Sequence, residues 1–232
     1  KTTYMKNFFS MLLVLLCYFS QAQINYHFDY ALLYEFSSIN SKTKTSNLYL
    51  INSKSVNYYL GESRDKDSIN MRLIFLDHNG ISSVSKIAIQ DFYKAEVFVN
   101  ECNSVVKHSN KYKNKANEYT FVKHNDTLIN GVFYFHYEIN SIKSIKYQKR
   151  NKIQSAHLII DKNSQEFQPF LYNPLFYNLF NKTPTLPKGL FKIIYYTNLK
   201  GEITFMQELL NVIKVDKYLT IPEECDYTKS LK

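Results

Sequence analysis

The feature that most constrains this chain is a succession of short aromatic and β-branched runs, each closed off by a polar turn. Val132-Phe133-Tyr134-Phe135-His136-Tyr137 is the densest of them. Side chains of this kind fit a pleated, half-buried surface and lose rotamer freedom in a helix, so they favour strands. Twenty Tyr and seventeen Phe against only five Gly carry that preference through the sequence. Aromatic strands with little helix bury their apolar side by closing or curling the sheet. The expected fold class is therefore mainly β, an antiparallel curved sheet or half-barrel with little helix.

Turn chemistry supplies the punctuation. Asn79-Gly80 offers the positive φ angles of a tight hairpin, Asn52 to Ser55 reads as a second hairpin, and Asn198-Leu199-Lys200-Gly201 as a third. Ser37 to Asn47 reads as a polar loop, and Gly61 to Ser68 as another polar stretch. Strands are expected at Ile139 to Tyr147, Ala156 to Asp161, Leu190 to Tyr196, Ile203 to Val215 and Tyr218 to Ile221. Helical turns are expected at Ile89 to Ala95 and Leu175 to Phe180. No internal repeat occurs, and no linker is long enough to force a split, so residues 23–232 are expected to form a single β-rich domain.

Residues 1–22 have a different character. Lys6, an apolar run from Phe8 to Phe19 broken only by Ser10, and the exit Ser20-Gln21-Ala22 have the layout of a secretory signal peptide. The run of roughly 12 residues suits a signal core and falls short of the ~20 that span a bilayer, so no transmembrane segment is expected after cleavage. An acylated lipoprotein start needs a small residue before its cysteine. Leu16 precedes Cys17, so release after Ala22 into the periplasm or the medium is expected. Export leaves Cys102 and Cys225 as an even pair in an oxidising compartment, where a disulfide and two free thiols are both open. Without the segment, 27 Lys and Arg face 20 Asp and Glu.

Chemical motifs are few. His27, His78, His108, His124, His136 and His157 show no helical metal spacing, and zinc sites usually group four Cys or His ligands closely, so no metal site is expected. His136 and His157 read as sheet-face residues, while His78 and His124 fall in turns beside Asp77 and Asp126. No nucleophile elbow, zinc-protease helix, P-loop or dinucleotide fingerprint occurs, so neither catalytic residues nor a cofactor are assigned. Lys107, Lys111, Lys113 and Lys115, and the group Lys143, Lys146, Lys149, Arg150 and Lys152, could face anionic lipid heads, polysaccharide or nucleic acid, and the plainer reading is a solvated basic surface that guards strand edges. No nucleic-acid motif accompanies them, and nucleic acid is not an expected partner. Asp67-Ser68-Ile69 and Asp126-Thr127-Leu128 match a short bacterial O-glycosylation pattern.

Thr185-Leu186-Pro187-Lys188-Gly189-Leu190-Phe191-Lys192-Ile193 resembles the signature of the GLPGLI family, exported Gram-negative proteins of unknown function. Lys188 is inserted relative to that signature and Thr185 stands at its leading Gly. The order of surroundings is also similar: a signal segment, a tyrosine-rich first strand, a strand with Ala156, a Pro-containing stretch and a final hydrophobic hairpin. The stretches from Gly201 to Thr204 and from Tyr218 to Pro222 further resemble the ends of half-barrel domains in envelope lipoprotein carriers. The resemblance implies an exported envelope protein, with Leu186, Pro187, Gly189 and Leu190 as the candidate binding segment. The plainer reading of that segment is a fixed bend, since Pro restricts φ and Gly frees it.

Together these readings imply a non-catalytic binding or structural domain that holds an apolar ligand or partner segment: a lipid, a peptide or an envelope protein. The alternative is a secreted hydrolase built from His and carboxylates in turns. An apolar concavity would favour the first and a polar pocket with clustered His and carboxylates the second.

Overall fold

The computed structural model describes residues 23–39, 41–64 and 69–225. The expected signal segment and Asp67-Ser68 lie outside the described residues. Among those described, thirteen strands form one open, mostly antiparallel sheet, accompanied by three short helices.

From one edge the sheet holds β7 (Val105–Lys107), β5 (Ile81–Ala88), β4 (Asn70–Asp77), β3 (Tyr58–Arg64), β2 (Ser41–Ile51) and β1 (Gln23–Ser38). It continues through β13 (Ile203–Pro222), β12 (Phe191–Thr197), β11 (Ser155–Asp161), β10 (Val132–Ser141) and β8 (Tyr119–Lys123). β9 (Thr127–Ile129) pairs with β10, and β6 (Val97–Val99) adds in parallel to β13. The helices are α1 (Ile89–Lys94), α2 (Ile145–Arg150) and α3 (Pro174–Lys182). The spine is the pairing of β1 with β13, from Gln23 opposite Pro222 to Ser38 opposite Phe205, with register shifts after Phe28 and Leu33. Such shifts bend a strand and increase its twist.

The sheet is covered on both faces, by different pieces. In β2 the consecutive residues Tyr49, Leu50 and Ile51 are all buried, which a strand achieves only when both faces are packed. Leu50 joins a core of Phe28, Leu60, Met71, Phe75 and Leu219, capped by Phe92 of α1 and Phe98 of β6. Tyr49 and Ile51 point the other way, to Leu32, Tyr34, Phe167 and Phe170. A third core lies where Phe176, Tyr177 and Leu179 of α3 pack on Ile139, Ala156, Leu158 and Ile194. The aromatic face that sequence reading left to a cargo is therefore largely occupied by the chain's own Phe167–Tyr172 stretch and α3.

A disulfide joins Cys102, beside the β7 edge, to Cys225 after β13, with Cα atoms 5.4 Å apart and a sequence separation of 123. The buried Cys225 is part of the first core.

Several local expectations are corrected. The polar loop placed over Ser37 to Asn47 is mostly β2, because the backbone ladder to β1 needs no apolar side chain. β3 likewise runs on through Arg64, paired with Met71. The strand expected from Ile139 to Tyr147 stops at Ser141. The hydroxyl of Ser144 accepts the Tyr147 N–H at 3.4 Å, and this N-cap starts α2 instead. The two strands expected after Gly201 are one, β13. At Asn79-Gly80 only Gly80 has positive φ, +136°, and the connection is three residues long because Asp77 pairs with Ile81. The Asp77 carboxylate accepts the Asn79 N–H at 2.8 Å and shapes the turn in place of a second left-handed residue.

Candidate functional site

Two pockets lie on opposite faces of the β10–β11–β12 unit, because residues alternate across a strand. Ile139 and Ala156 face α3, while Glu138, Asn140, Ser155 and His157 face the other way.

The α3 pocket encloses about 180 Å³ and is walled by Tyr119, Ile139, Ala156, Leu175, Phe176 and Tyr196. Local sequence explains α3: Asn173 caps it by accepting the Leu175 N–H at 2.9 Å, and Pro174 occupies the first turn, where a missing N–H costs nothing. The Tyr196 hydroxyl sits 3.3 Å from that of Tyr172, which also receives the Gln207 amide. Burial raises the pKa of both phenols, so they remain neutral hydrogen-bonding groups. On its other side α3 is fastened by the imidazole of His78, which stacks on Tyr177 with ring centroids 4.0 Å apart. His78 Nε2 lies 2.9 Å from the Leu171 carbonyl, which can only accept, so Nε2 carries the proton. Burial lowers the pKa of His78 to about 4.

Lys152 supplies the one Lys or Arg among the residues lining this pocket. It follows α2 in a left-handed conformation, φ +49°, while the next residue, Ile153, donates its N–H to the Gln148 carbonyl at 3.0 Å. Glycine is the usual occupant of that position, and another residue there costs about 1–2 kcal/mol.

The second pocket, of about 560 Å³, is open and mixed in lining, with Ile145, Leu199 and Ile203 beside its polar residues. Glu138, His157, Tyr195 and Thr197 form its floor, with Gln148 of α2 and Asn198 of the last hairpin at its sides. Cross-strand register makes the floor: Glu138 faces His157, and His157 faces Tyr195. His157 stacks on Tyr195 at 4.4 Å and its Nε2 is 3.1 Å from Thr197 Oγ1. Its Nδ1 is 3.1 Å from His136 Nε2. His124, just beyond β8, donates its backbone N–H to the His136 carbonyl at 2.9 Å, stacks on that imidazole at 4.7 Å, and places Nε2 2.9 Å from Glu138. Burial, then the neighbouring His124, lowers the pKa of His136. Burial likewise lowers that of His157, against a raising effect from Glu138. Burial pushes the Glu138 carboxyl up, but hydrogen bonds from His124 and Ser155 outweigh it and hold the group below its ordinary value.

The residues singled out from sequence fall elsewhere. Leu186 and Leu190 are buried in the two cores of the α3 face, and Gly189 has φ +137° with its backbone against β11. A Cβ at Gly189 would meet the Asp161 carbonyl oxygen at 2.6 Å. Neither these residues nor Pro187 line either pocket. The two His–Asp turn pairs do not assemble as dyads: His78 is committed to Leu171 and Tyr177, and Asp126 pairs with Lys162. Sequence reading did not bring His124, His136 and His157 together. The signal was present in the spacing of His136 and Glu138, two apart on one strand face, but their cross-strand partners depend on register.

No protein-family model and no curated protein matches the chain. Among solved structures it is similar to MucB in the Pseudomonas aeruginosa MucA/MucB complex, with a TM-score of 0.42 and 8% identity over 83% of this chain and 53% of that one. The chain thus spans about half the length of the MucB chain. It is similar to a DUF1329 family protein from Desulfovibrio piger, with a TM-score of 0.32 and 9% identity over 90% of this chain and 92% of the other. It is also similar to the LolA superfamily protein NE2245 from Nitrosomonas europaea, with a TM-score of 0.28 and 10% identity over 80% of this chain and 84% of that one.

Proposed function

We propose that this chain is a non-catalytic binding domain of the cell envelope that takes an anionic amphiphile, with an acyl end under α3 and a charged head at Lys152. In this reading residues 1–22 are the export signal, and the domain works in the periplasm or after secretion. The observation that carries the proposal is the pairing of an aromatic-walled pocket with a lysine held at its rim in a strained backbone conformation. The turn that closes α2 holds the residue there, with the Ile153 N–H on the Gln148 carbonyl. At about 180 Å³ the pocket is below the ~300–1,000 Å³ typical of whole small-molecule ligands, so it suits the tip of a chain. The basic residues of α2, Lys146, Lys149 and Arg150, precede Lys152 in sequence and add positive charge next to it along the chain.

The test is fluorescence titration of the purified protein with cis-parinaric acid. Saturable binding is expected, weakened at least tenfold by Ala156→Leu, which fills the pocket, and by Lys152→Glu, which reverses the rim charge. Absence of saturable binding to folded protein, or indifference to both substitutions, refutes the reading.

The Thr197–His157 contact in the open pocket favours a second reading, a hydrolase. Thr197 beside His157 supplies a hydroxyl and an imidazole, but the other nitrogen of His157 faces His136, not a carboxylate. The orienting acid of a nucleophile–base–acid relay is thus not in place.

A further inference from the structure

We propose that His124, His136 and His157 form a binding site for a divalent transition-metal ion of the zinc class on the face of the sheet opposite α3. One ring nitrogen from each of the three lies within 4.8 Å of the other two. A tetrahedral ion with Zn–N bonds of ~2.0–2.1 Å requires its ligand nitrogens about 3.3 Å apart. His136 Nε2 and His157 Nδ1, at 3.1 Å, already stand at that spacing. Bringing in the third nitrogen takes a shift of about 1.5 Å at most, within reach of side-chain rotation at partly exposed His124.

The outer contacts suit a metal site. Metal-bound imidazoles usually hold their second nitrogen against a carboxylate or another fixed acceptor, which sets tautomer and ring orientation. His124 meets the Glu138 carboxylate at 2.9 Å, and His157 Nε2 meets Thr197 Oγ1 at 3.1 Å. When His157 donates Nε2–H to Thr197, Nδ1 keeps its lone pair, as coordination requires. In the metal-free protein His136 Nε2–H then donates to that lone pair. Metal binding asks only that His136 move its proton to Nδ1, with no charge created on either ring. Imidazole ligands suit zinc, copper and nickel and disfavour magnesium and calcium, which take oxygen donors. Three protein ligands leave a fourth position for water or an oxygen-donor ligand.

The test uses tag-free protein stripped with a chelator and titrated with Zn²⁺ in a calorimeter, with Co²⁺ substitution read by its visible d–d absorption. One equivalent per chain and a tetrahedral cobalt spectrum are expected. His136→Gln with His157→Gln is expected to weaken Zn²⁺ binding at least 100-fold, Glu138→Gln by about 10–100-fold, and His27→Gln, remote from the cluster, not at all. If the double variant fails to fold, His124→Gln carries the same expectation of a large loss. Folded wild-type protein that takes up no stoichiometric Zn²⁺, or binding that survives loss of the cluster histidines, overturns the proposal.

Discussion

Acid should loosen the α3 side of this fold through a single buried imidazole, His78. Its pKa lies at about 4 against an ordinary 6.5, chiefly because burial disfavours the charged ring. Above pH 6.5 the ring is neutral in both folded and unfolded chains and contributes no pH dependence. Between pH 6.5 and 4 the unfolded chain takes the proton first, so stability falls as pH falls; below pH 4 both states are protonated and the loss is complete. The gap of about 2.5 pH units corresponds to about 3 kcal/mol, at a slope of about 1.4 kcal/mol per pH unit. For a domain of this size that is a fall of roughly 10 °C in melting temperature. His78→Phe keeps a ring against Tyr177 and loses the bond to Leu171, which costs about 1–3 kcal/mol at every pH. Urea unfolding of both proteins from pH 7.5 to 4 checks the argument. The wild type should lose about 3 kcal/mol more than the variant across that range, since His108, His136 and His157 titrate in both. Parallel curves would refute the assignment of the acid sensitivity to His78.

Three further outcomes follow from the geometry. Gly189→Ala should cost about 3–5 kcal/mol in chemical denaturation, because φ +137° is closed to a side chain and the new Cβ meets the Asp161 carbonyl. Lys152→Gly should raise stability by about 0.5–1 kcal/mol by relieving the left-handed residue, while weakening the binding of anionic amphiphiles; unfolding and ligand titration on one sample measure both. Reducing the Cys102–Cys225 disulfide, whose ends are separated by 123 positions in sequence, should lower stability by about 5 kcal/mol by the chain-entropy relation, read as a shift in denaturation midpoint with and without reductant.

The class of the fold was legible because it rests on local chemistry. Aromatic and β-branched runs became strands, and Asn173-Pro174 began a helix where an apolar run sat behind a cap and a first-turn proline. What escaped were features decided by pairing. The polar residues from Ser41 to Asn47 carry no strand signature of their own and become β2 because β1 offers them a ladder. Ser144 diverts the chain into α2 from a run whose Ile and Tyr suggested a strand. The candidate sites depend still more on register. His157 lies opposite Glu138 and Tyr195 only because β11 pairs with β10 on one side and β12 on the other. The Leu186–Leu190 segment stood out in sequence for its Pro and Gly, and its place in the fold is a tight bend against β11.

Entry of an acyl chain beneath α3 with its charge at Lys152 is tested by titrating isotope-labelled protein with dodecanoate and following the backbone amides by NMR. Saturating shifts confined to Ala156, Phe176, Tyr196 and the Lys152 turn are expected, with the dodecanoate methyl ester binding more weakly at the same place. Shifts centred on Glu138, His157 and Thr197, or none that saturate, would contradict it.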